Sequence, residues 1–161
     1  MITGEGNISR VLNDREGAIF FARGVSNSSL PEDSPEFKRE QNFIMKFRDI
    51  KGCLFYFGSI SIFYKDSPYT RHKIKMEQII RSNFNNYNII RVGNLTWDSN
   101  PNTFLNVLRL KKFRGEPFDI FDEYRWMINK EELLLLTDNL PLVGQHEINV
   151  FGTMKKVKDL I

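Results

Sequence analysis

The chain has 161 residues, 41% of them apolar and 13% aromatic, which is enough for one domain with a substantial core. Its 23 basic and 20 acidic residues give a net charge of only +3 and are scattered along the chain, which argues against a nucleic-acid-binding protein. One cysteine and two histidines leave no disulfide within the chain and predict no metal site. No leader or membrane-spanning run is readable, so we expect a cytoplasmic protein with no membrane partner.

The chain begins with a short apolar segment followed by two glycines, Gly4 and Gly6. A glycine-rich turn after a strand lets the backbone approach a pyrophosphate, which then lies at the N-terminus of the next helix. The residues before Asn13 leave room for only a short helix. The pattern predicts either a compressed dinucleotide loop, with both glycines as cofactor-binding residues, or an ordinary turn.

The next two segments predict a strand and a helix. Residues 17–27 begin with an apolar run that ends at Ala22 and Gly24, as in a strand followed by a turn. Residues 35–47 carry apolar side chains at helical spacing and follow a loop rich in proline and acidic residues.

A third strand and a third helix follow, and together they carry reactive side chains. Residues 52–57 form a continuous apolar run that leads to Ser59 and Ser61. Ser67 and Pro68 are a typical helix start, and Tyr69 and Lys73 then lie four residues apart on one face of that helix.

This combination of residues has a chemical interpretation. A lysine ammonium favours the phenolate form of a neighbouring tyrosine and so lowers its pKa, which makes Tyr69 a candidate acid or base. The Ser59 hydroxyl can hold the substrate oxygen that exchanges the proton, and Ser61 is the second candidate for this role. An isolated Tyr-x-x-x-Lys pattern is also typical of a solvated helix surface.

The second half of the chain predicts further strands and helices. Strands are expected at residues 87–94, 118–121, 124–128 and 147–152, and helices at 102–112, from 131 onward and at 155–161. Strands that alternate with helices, and that are apolar throughout, predict a parallel sheet covered on both faces.

Several segments taken together resemble the extended type of the short-chain dehydrogenase/reductase superfamily, the NAD-dependent epimerase/dehydratase family. The resemblance extends to the end of the chain. The matching residues are Gly58-Ser59-Ile60-Ser61 at a strand end, Pro68, Tyr69, Lys73 and Glu77 in the helix, and Ile89-Ile90-Arg91-Val92-Gly93-Asn94 in the next strand.

The resemblance implies roles for individual residues. It makes Ser59, Tyr69 and Lys73 catalytic, with Lys73 also holding the nicotinamide ribose. Beside the glycine loop, the implied cofactor-binding residues are Ala22, Gly24 and Asn94, and the implied substrate-binding residues are Asn27, Ser61 and Arg125. Arg125 is equally well interpreted as a structural surface arginine.

The resemblance also implies the fold and the activity. It predicts one shortened Rossmann-type α/β three-layer sandwich, with a cofactor-binding part at 1–98 and a small substrate part with a closing strand and helix at 99–161. The second and third strands of the family's fold have no counterpart in this chain, so the first strand is expected at a sheet edge. The implied activity is hydride transfer between NAD or NADP and a nucleotide sugar. Two alternatives stay open: a degenerate member that binds a nucleotide or a partner without chemistry, and an assembly protein.

We also expect a homodimer. A sheet without its outer strands offers less core, so apolar residues of the 35–47 and 67–84 helices are expected to remain exposed in a monomer and to pair across a two-fold axis. In the competing interpretation both helices cover the sheet of their own chain.

Overall fold

The computed structural model describes residues 1–120 and 123–161. Its strands and helices, in chain order, are β1 (Ile2–Thr3), β2 (Ala18–Phe21), α1 (Pro35–Ile44), β3 (Cys53–Ser59), α2 (Pro68–Asn83), β4 (Tyr87–Val92), β5 (Asn94–Leu95), α3 (Phe104–Arg114), β6 (Tyr124–Ile128), α4 (Lys130–Asn139), β7 (Gln145–Val150) and β8 (Thr153–Lys156). Short 3₁₀ turns follow α1, β3 and β8.

The main sheet has five parallel strands in the order β1-β2-β3-β4-β7. β2 and β4 are buried along their whole length, and β3 is buried up to Ser59, because helices or loops cover both faces. This is the α/β architecture predicted from the apolar runs, with β1 at the edge as expected.

Side-chain alternation divides the core into two layers. Ile19, Leu54 and Ile89 pack against α1 and α2 on one face of the sheet. Phe20, Phe55 and Ile90 point to the other face, where they meet Leu133 of α4. The period of two along each strand therefore creates the three-layer sandwich.

A second, three-stranded sheet in the order β5-β6-β8 forms the smaller part of the molecule. It is joined to the main sheet at Gly93, where an added Cβ would lie 2.8 Å from the carbonyl oxygen of Trp126 and 3.0 Å from that of Phe151. Only glycine allows the backbones to approach this closely. Leu105 and Leu108 of α3 pack in the small core of this second part of the molecule.

Some sequence predictions are wrong in detail. No helix follows the first glycines: residues 5–11 form hydrogen-bonded turns. The final segment, predicted as a helix at 155–161, instead begins with the last two residues of β8, because Thr153–Lys156 pairs antiparallel with β6. A single 3₁₀ turn follows. The helix predicted at 102–112 is α3, two residues later. Residues 118–120 form no strand, and the last residue of that predicted strand, Phe121, lies outside the described residues.

The apolar faces of α1 and α2 are buried within one chain. Phe37, Ile44 and Phe47 of the first helical segment and Met76 and Ile80 of the second are all less than 9% exposed. Phe43 and Ile79 are half-buried against the same core. Most of the apolar surface from which the homodimer was predicted is therefore covered by the protein's own chain.

Candidate active-site groove

A groove of about 1220 Å³ runs across the carboxyl ends of β2, β3 and β4. Its floor includes Gly24, Ser59 and Lys73, and its walls include Asn94, Lys111 and Arg125. Ligands of open parallel sheets bind beyond the carboxyl ends of the strands, so this is where the fold itself predicts a site.

Ser59 and Ser61 come together at the end of β3. Their Oγ atoms are 2.7 Å apart, and Ser59 Oγ also accepts a hydrogen bond from the backbone N–H of Ser61. β3 ends at Ser59 and Ser61 lies in the 3₁₀ turn, so turn geometry brings the two hydroxyls together, not strand alternation. Both side chains line the groove.

A capping box fixes the start of α2. Ser67 Oγ accepts from the N–H of Thr70, and Thr70 Oγ1 accepts from the N–H of Ser67. Pro68 occupies the first turn, where its missing N–H has no cost. The helix therefore begins at a fixed point and directs Tyr69 and Lys73 into the groove, one turn apart.

Lys73 is 2% exposed and forms part of the groove floor. Its Nζ donates to Tyr56 OH at 3.2 Å and to Glu40 Oε1 at 3.5 Å, and lies 5.6 Å from the centre of the Tyr69 ring. An ammonium has three donors, so one remains for a bound ligand. The structure thus brings Ser59, Tyr69 and Lys73 to one site, with Lys73 facing two partners that the sequence analysis did not identify.

Glu40 of α1 accepts hydrogen bonds from four donors, which lie in the loop after β2, in β3 and in α2. Its Oε2 is 2.8 Å from both the Val25 backbone nitrogen and His72 Nε2, and its Oε1 is 3.2 Å from Tyr56 OH. Burial by itself raises the pKa of this carboxyl. The charge of Lys73 and the hydrogen bonds from His72 and Val25 together have a larger effect and lower the pKa to about 2. Burial against this carboxylate raises the pKa of Tyr56 well above its ordinary value.

The two glycines of the first loop differ in their surroundings. Gly4 has φ +110°, and an added Cβ would lie 2.4 Å from the Ala22 carbonyl oxygen. Only glycine therefore fits the backbone at this position. Gly6 lines the groove, and the nearest atom to an added Cβ is 4.0 Å away. Gly6 is therefore the glycine that leaves the backbone open to a ligand, and Ala22 beside it also lines the groove.

A loop over the groove links this first turn to the segment after β2. We call residues 97–100 the cross-loop. Asn7 Nδ2 donates to Asp98 Oδ1 at 2.6 Å, Ser99 Oγ donates to Asn7 Oδ1 at 2.8 Å, and Asn100 Nδ2 donates to Ser26 Oγ at 3.1 Å. These bonds connect the first turn and the segment after β2 to the same loop.

The remaining predicted site residues are placed differently. Asn94 lines the groove, with its amide donating to the Trp126 carbonyl at 3.1 Å. Arg125 also lines the groove, with its guanidinium 4.2 Å from the centre of the Phe104 ring. Asn27 accepts a hydrogen bond from the N–H of Ser29 within a turn, and its neighbours Ser26 and Ser28 line the groove in its place.

Two observations bear on other classes of site. Within residues 1–120 and 123–161, no group of three His, Cys, Asp or Glu side chains is arranged to hold a metal ion. Over the same residues, no helix combines the length and the apolar character that crossing a membrane requires.

Comparison with known proteins identifies the fold. A UDP-glucuronic acid 4-epimerase variant from Bacillus cereus, solved with NAD, superposes with a TM-score of 0.66 at 15% identity, covering 95% of this chain and 59% of that one. The fold is that of the UDP-sugar epimerases. The Bordetella bronchiseptica enzyme WbmG with NAD gives 0.65 at 13% identity, covering 89% and 53%. A UDP-N-acetylglucosamine 4-epimerase from Methanobrevibacter ruminantium gives 0.59 at 15% identity, covering 97% and 61%.

The match covers only part of each known structure. The chain spans about half to three fifths of the length of these three structures. No family model and no curated protein sequence matches the chain. The likeness to these structures confirms the predicted Rossmann-type α/β fold.

Proposed function

We propose that the chain is an NAD(P)-dependent enzyme of the epimerase, dehydratase or reductase type that acts on a nucleotide sugar. One observation supports this most strongly: Ser59, Tyr69 and Lys73 meet at the groove floor, with one ammonium donor of Lys73 left for a ligand. The epimerase structures that share the fold contain NAD or a UDP-sugar.

The groove fits one end of such a cofactor. Lys73 can donate to a ribose hydroxyl beside Gly24, and Gly6 leaves its backbone open to a phosphate. When bound, the nicotinamide supplies hydride chemistry to the substrate. Tyr69 exchanges a proton with the substrate oxygen, and the Ser59 hydroxyl, oriented by Ser61, holds that oxygen in place.

A second candidate is a nucleotide-binding protein without catalysis. Two observations favour it: no helix follows Gly6 to place its N-terminus at a pyrophosphate, and Glu40 offsets the charge of Lys73 within the protein. Such a protein binds a nucleotide or dinucleotide in the same groove and leaves the sugar unchanged.

Replacing Tyr69 with Phe separates these two functions. The exchange removes the hydroxyl and keeps the ring, so we expect an unchanged fold, retained NAD⁺ binding and a fall in turnover of about 10²-fold or more. Turnover is followed by NMR of a panel of UDP-sugars incubated with protein and NAD⁺.

Tyr64→Phe is the matched control, because Tyr64 also lines the groove but is 53% exposed and lies outside α2. It is expected to stay within a few-fold of wild type. Equal turnover in the Tyr69 and Tyr64 variants would rule out Tyr69 as the acid or base. Tight NAD⁺ binding with no change in any sugar would favour the second candidate.

The homodimer stays a prediction, since the single chain does not test it. The outer surfaces of α1 and α2 are largely polar, with Ile74 at 38% the main exposed apolar side chain on α2. Sedimentation velocity at micromolar concentration measures the mass directly. A monomer throughout would end this prediction, whereas a dimer disrupted by Ile74→Glu would place α2 in the interface.

A further inference from the structure

Glu40 has surroundings that only a carboxylate satisfies. Its Oε2 faces the N–H of Val25 at 2.8 Å, and its Oε1 faces the ammonium of Lys73 at 3.5 Å. Both groups are obligatory donors. A glutamine in either orientation turns its NH₂ towards one of them, so a donor meets a donor. Each of the two oxygens of Glu40 must therefore be an acceptor.

His72 completes this arrangement. Its Nε2 lies 2.8 Å from Glu40 Oε2, so the ring donates from Nε2 to the carboxylate. The ring stacks on Phe37 at 4.3 Å between centres, and its buried Nδ1 has no hydrogen-bond partner among the described residues. His72 thus holds Glu40 Oε2 without lining the groove, whereas Lys73, which holds Oε1, does line it.

The position of Glu40 links Lys73 to the groove. A Cβ added to Gly24 would lie 2.8 Å from Glu40 Oε1 and 2.9 Å from Lys73 Nζ, so the pair lies directly against the backbone of the groove floor. The hydrogen bond from Val25 fixes the same backbone segment to the same carboxylate. A movement of Glu40 would therefore displace the ammonium and the floor together.

We propose that Glu40 is a positioning residue, whose carboxylate holds the Lys73 ammonium at the groove floor so that its remaining donor meets a hydroxyl group of the bound ligand. The position of Lys73 follows from the geometry alone. The consequence for ligand binding rests on the proposed function, since it assigns the hydroxyl to a ribose of the cofactor.

The chain offers a matched control in Glu77. This glutamate is also buried, lies on α2 one turn beyond Lys73 and pairs with Arg91 at 2.6 Å. It does not line the groove. Replacing Glu77 disturbs a buried ion pair of the same helix. An effect that is seen on replacing Glu40 but not on replacing Glu77 is therefore due to the groove and not to the loss of a buried charge.

The first measurement needs no ligand. Acetic anhydride acetylates lysines, and mass spectrometry measures the acetylation rate of Lys73 relative to that of the exposed Lys75 as an internal reference. The reaction is run below the Tm of every variant. We expect Lys73 to be protected in the wild type and in Glu77→Gln, and to react about tenfold faster or more in Glu40→Gln. If Glu40→Gln does not fold, Glu40→Asp, whose shorter side chain cannot reach all four partners, is compared with Glu77→Asp. Equal Lys73 rates in the matched variants overturn the proposal.

The second measurement asks whether Glu40 acts through Lys73. Calorimetric titration with NAD⁺ is expected to show about tenfold weaker binding in Glu40→Gln and Lys73→Met, and about twofold or less in Glu77→Gln. The double variant Glu40→Gln/Lys73→Met should bind no more weakly than Lys73→Met alone, because both changes remove the same contact. Additive losses overturn the positioning role.

The outcomes separate this inference from the proposed function. If the wild type binds neither NAD⁺ nor NADP⁺, the proposed function fails, while the acetylation rates still decide whether Glu40 holds Lys73. If the wild type binds NAD⁺ but the Glu40 variants label and bind like those of Glu77, the proposed function stands and the positioning role is wrong.

Discussion

At the scale of single residues, burial decides what the charge of Lys73 can do. An ammonium that is 2% exposed requires a partner, because an unpaired buried charge is strongly destabilising. Glu40 provides that partner at 3.5 Å, and Tyr56 provides a second acceptor. The same pairing that makes Lys73 stable in the core also limits the field that it exerts on Tyr69.

Gly24→Ala tests how tightly this pair is packed. The added Cβ would lie 2.8 Å from Glu40 Oε1 and 2.9 Å from Lys73 Nζ, so the pair must shift. We expect a loss of about 1–3 kcal/mol in the free energy of unfolding, measured in urea.

Gly6→Ala is the control for this prediction, because its added Cβ has no neighbour closer than 4.0 Å. It should leave stability within about 0.5–1 kcal/mol of wild type, as for a glycine with room for a methyl group. If Gly6 approaches a phosphate, the same variant binds NAD⁺ more weakly. Equal stability losses at both positions would contradict the packing described for Gly24.

Sequence reasoning found the groove residues that come from short-range patterns. Tyr69 and Lys73 are one helical turn apart, and Ser59 ends an apolar strand, so their convergence follows from local geometry. Glu40 and Tyr56 are 16 residues apart and meet only through packing. A signal for Glu40 was present, since position 40 lies on the same helical face as Phe37 and Ile44, where a carboxylate has to be buried.

At the scale of elements, α2 has two functions along its length. Its first turn carries Tyr69 and Lys73 to the groove. One turn later, Glu77 receives two hydrogen bonds from Arg91 of β4, at 2.8 and 2.6 Å, and α2 residue Arg81 reaches Glu147 of β7 at 2.6 Å. These ion pairs join the helix to two strands of the sheet on the side away from the groove.

The pH dependence of stability tests the Arg81–Glu147 contact. Hydrogen bonds from Arg81, and then from Arg91, outweigh partial burial and lower the pKa of Glu147 from 4.5 to about 2. A carboxyl with a lowered pKa stabilises the fold fully above its ordinary pKa and loses that effect as the pH falls towards the folded value.

We therefore expect Glu147→Gln to be less stable than wild type at neutral pH. Its stability should also fall less steeply between about pH 5 and about pH 3, measured by urea unfolding at each pH. An identical slope in the two proteins would show that Glu147 does not contribute in this pH range.

Element prediction failed where pairing partners, not local preference, decide the structure. Residues 153–156 have no strong strand pattern, yet they form β8 because β6 offers an antiparallel partner. Residues 5–11 close as turns, because Asn7 is bound to the cross-loop and the segment has no room for a regular helix. In contrast, β2, β3 and β4 were predictable because a buried parallel strand is apolar throughout.

At the scale of the whole molecule, the sheet ends at β1, with no described strand beyond it. In dinucleotide-binding folds the neighbouring strand carries the residue that reads the adenosine ribose and so separates NAD from NADP. We therefore expect weak dinucleotide binding and similar dissociation constants for NAD⁺ and NADP⁺ by calorimetry. Tight binding with a strong preference for one of them would mean that another segment or a second subunit supplies the missing contacts.

The short edge at β1 also bears on the behaviour of the protein at high concentration. An exposed sheet edge presents unpaired N–H and C=O groups on which strands of other molecules can add, which leads to aggregation. Here the edge strand is only two residues long, and the N-terminal ammonium beside it is bound to Asp14 and to the Ala18 carbonyl. An edge this short offers too little backbone for an incoming strand, so the β1 side of the sheet is protected against edge-to-edge assembly even without outer strands.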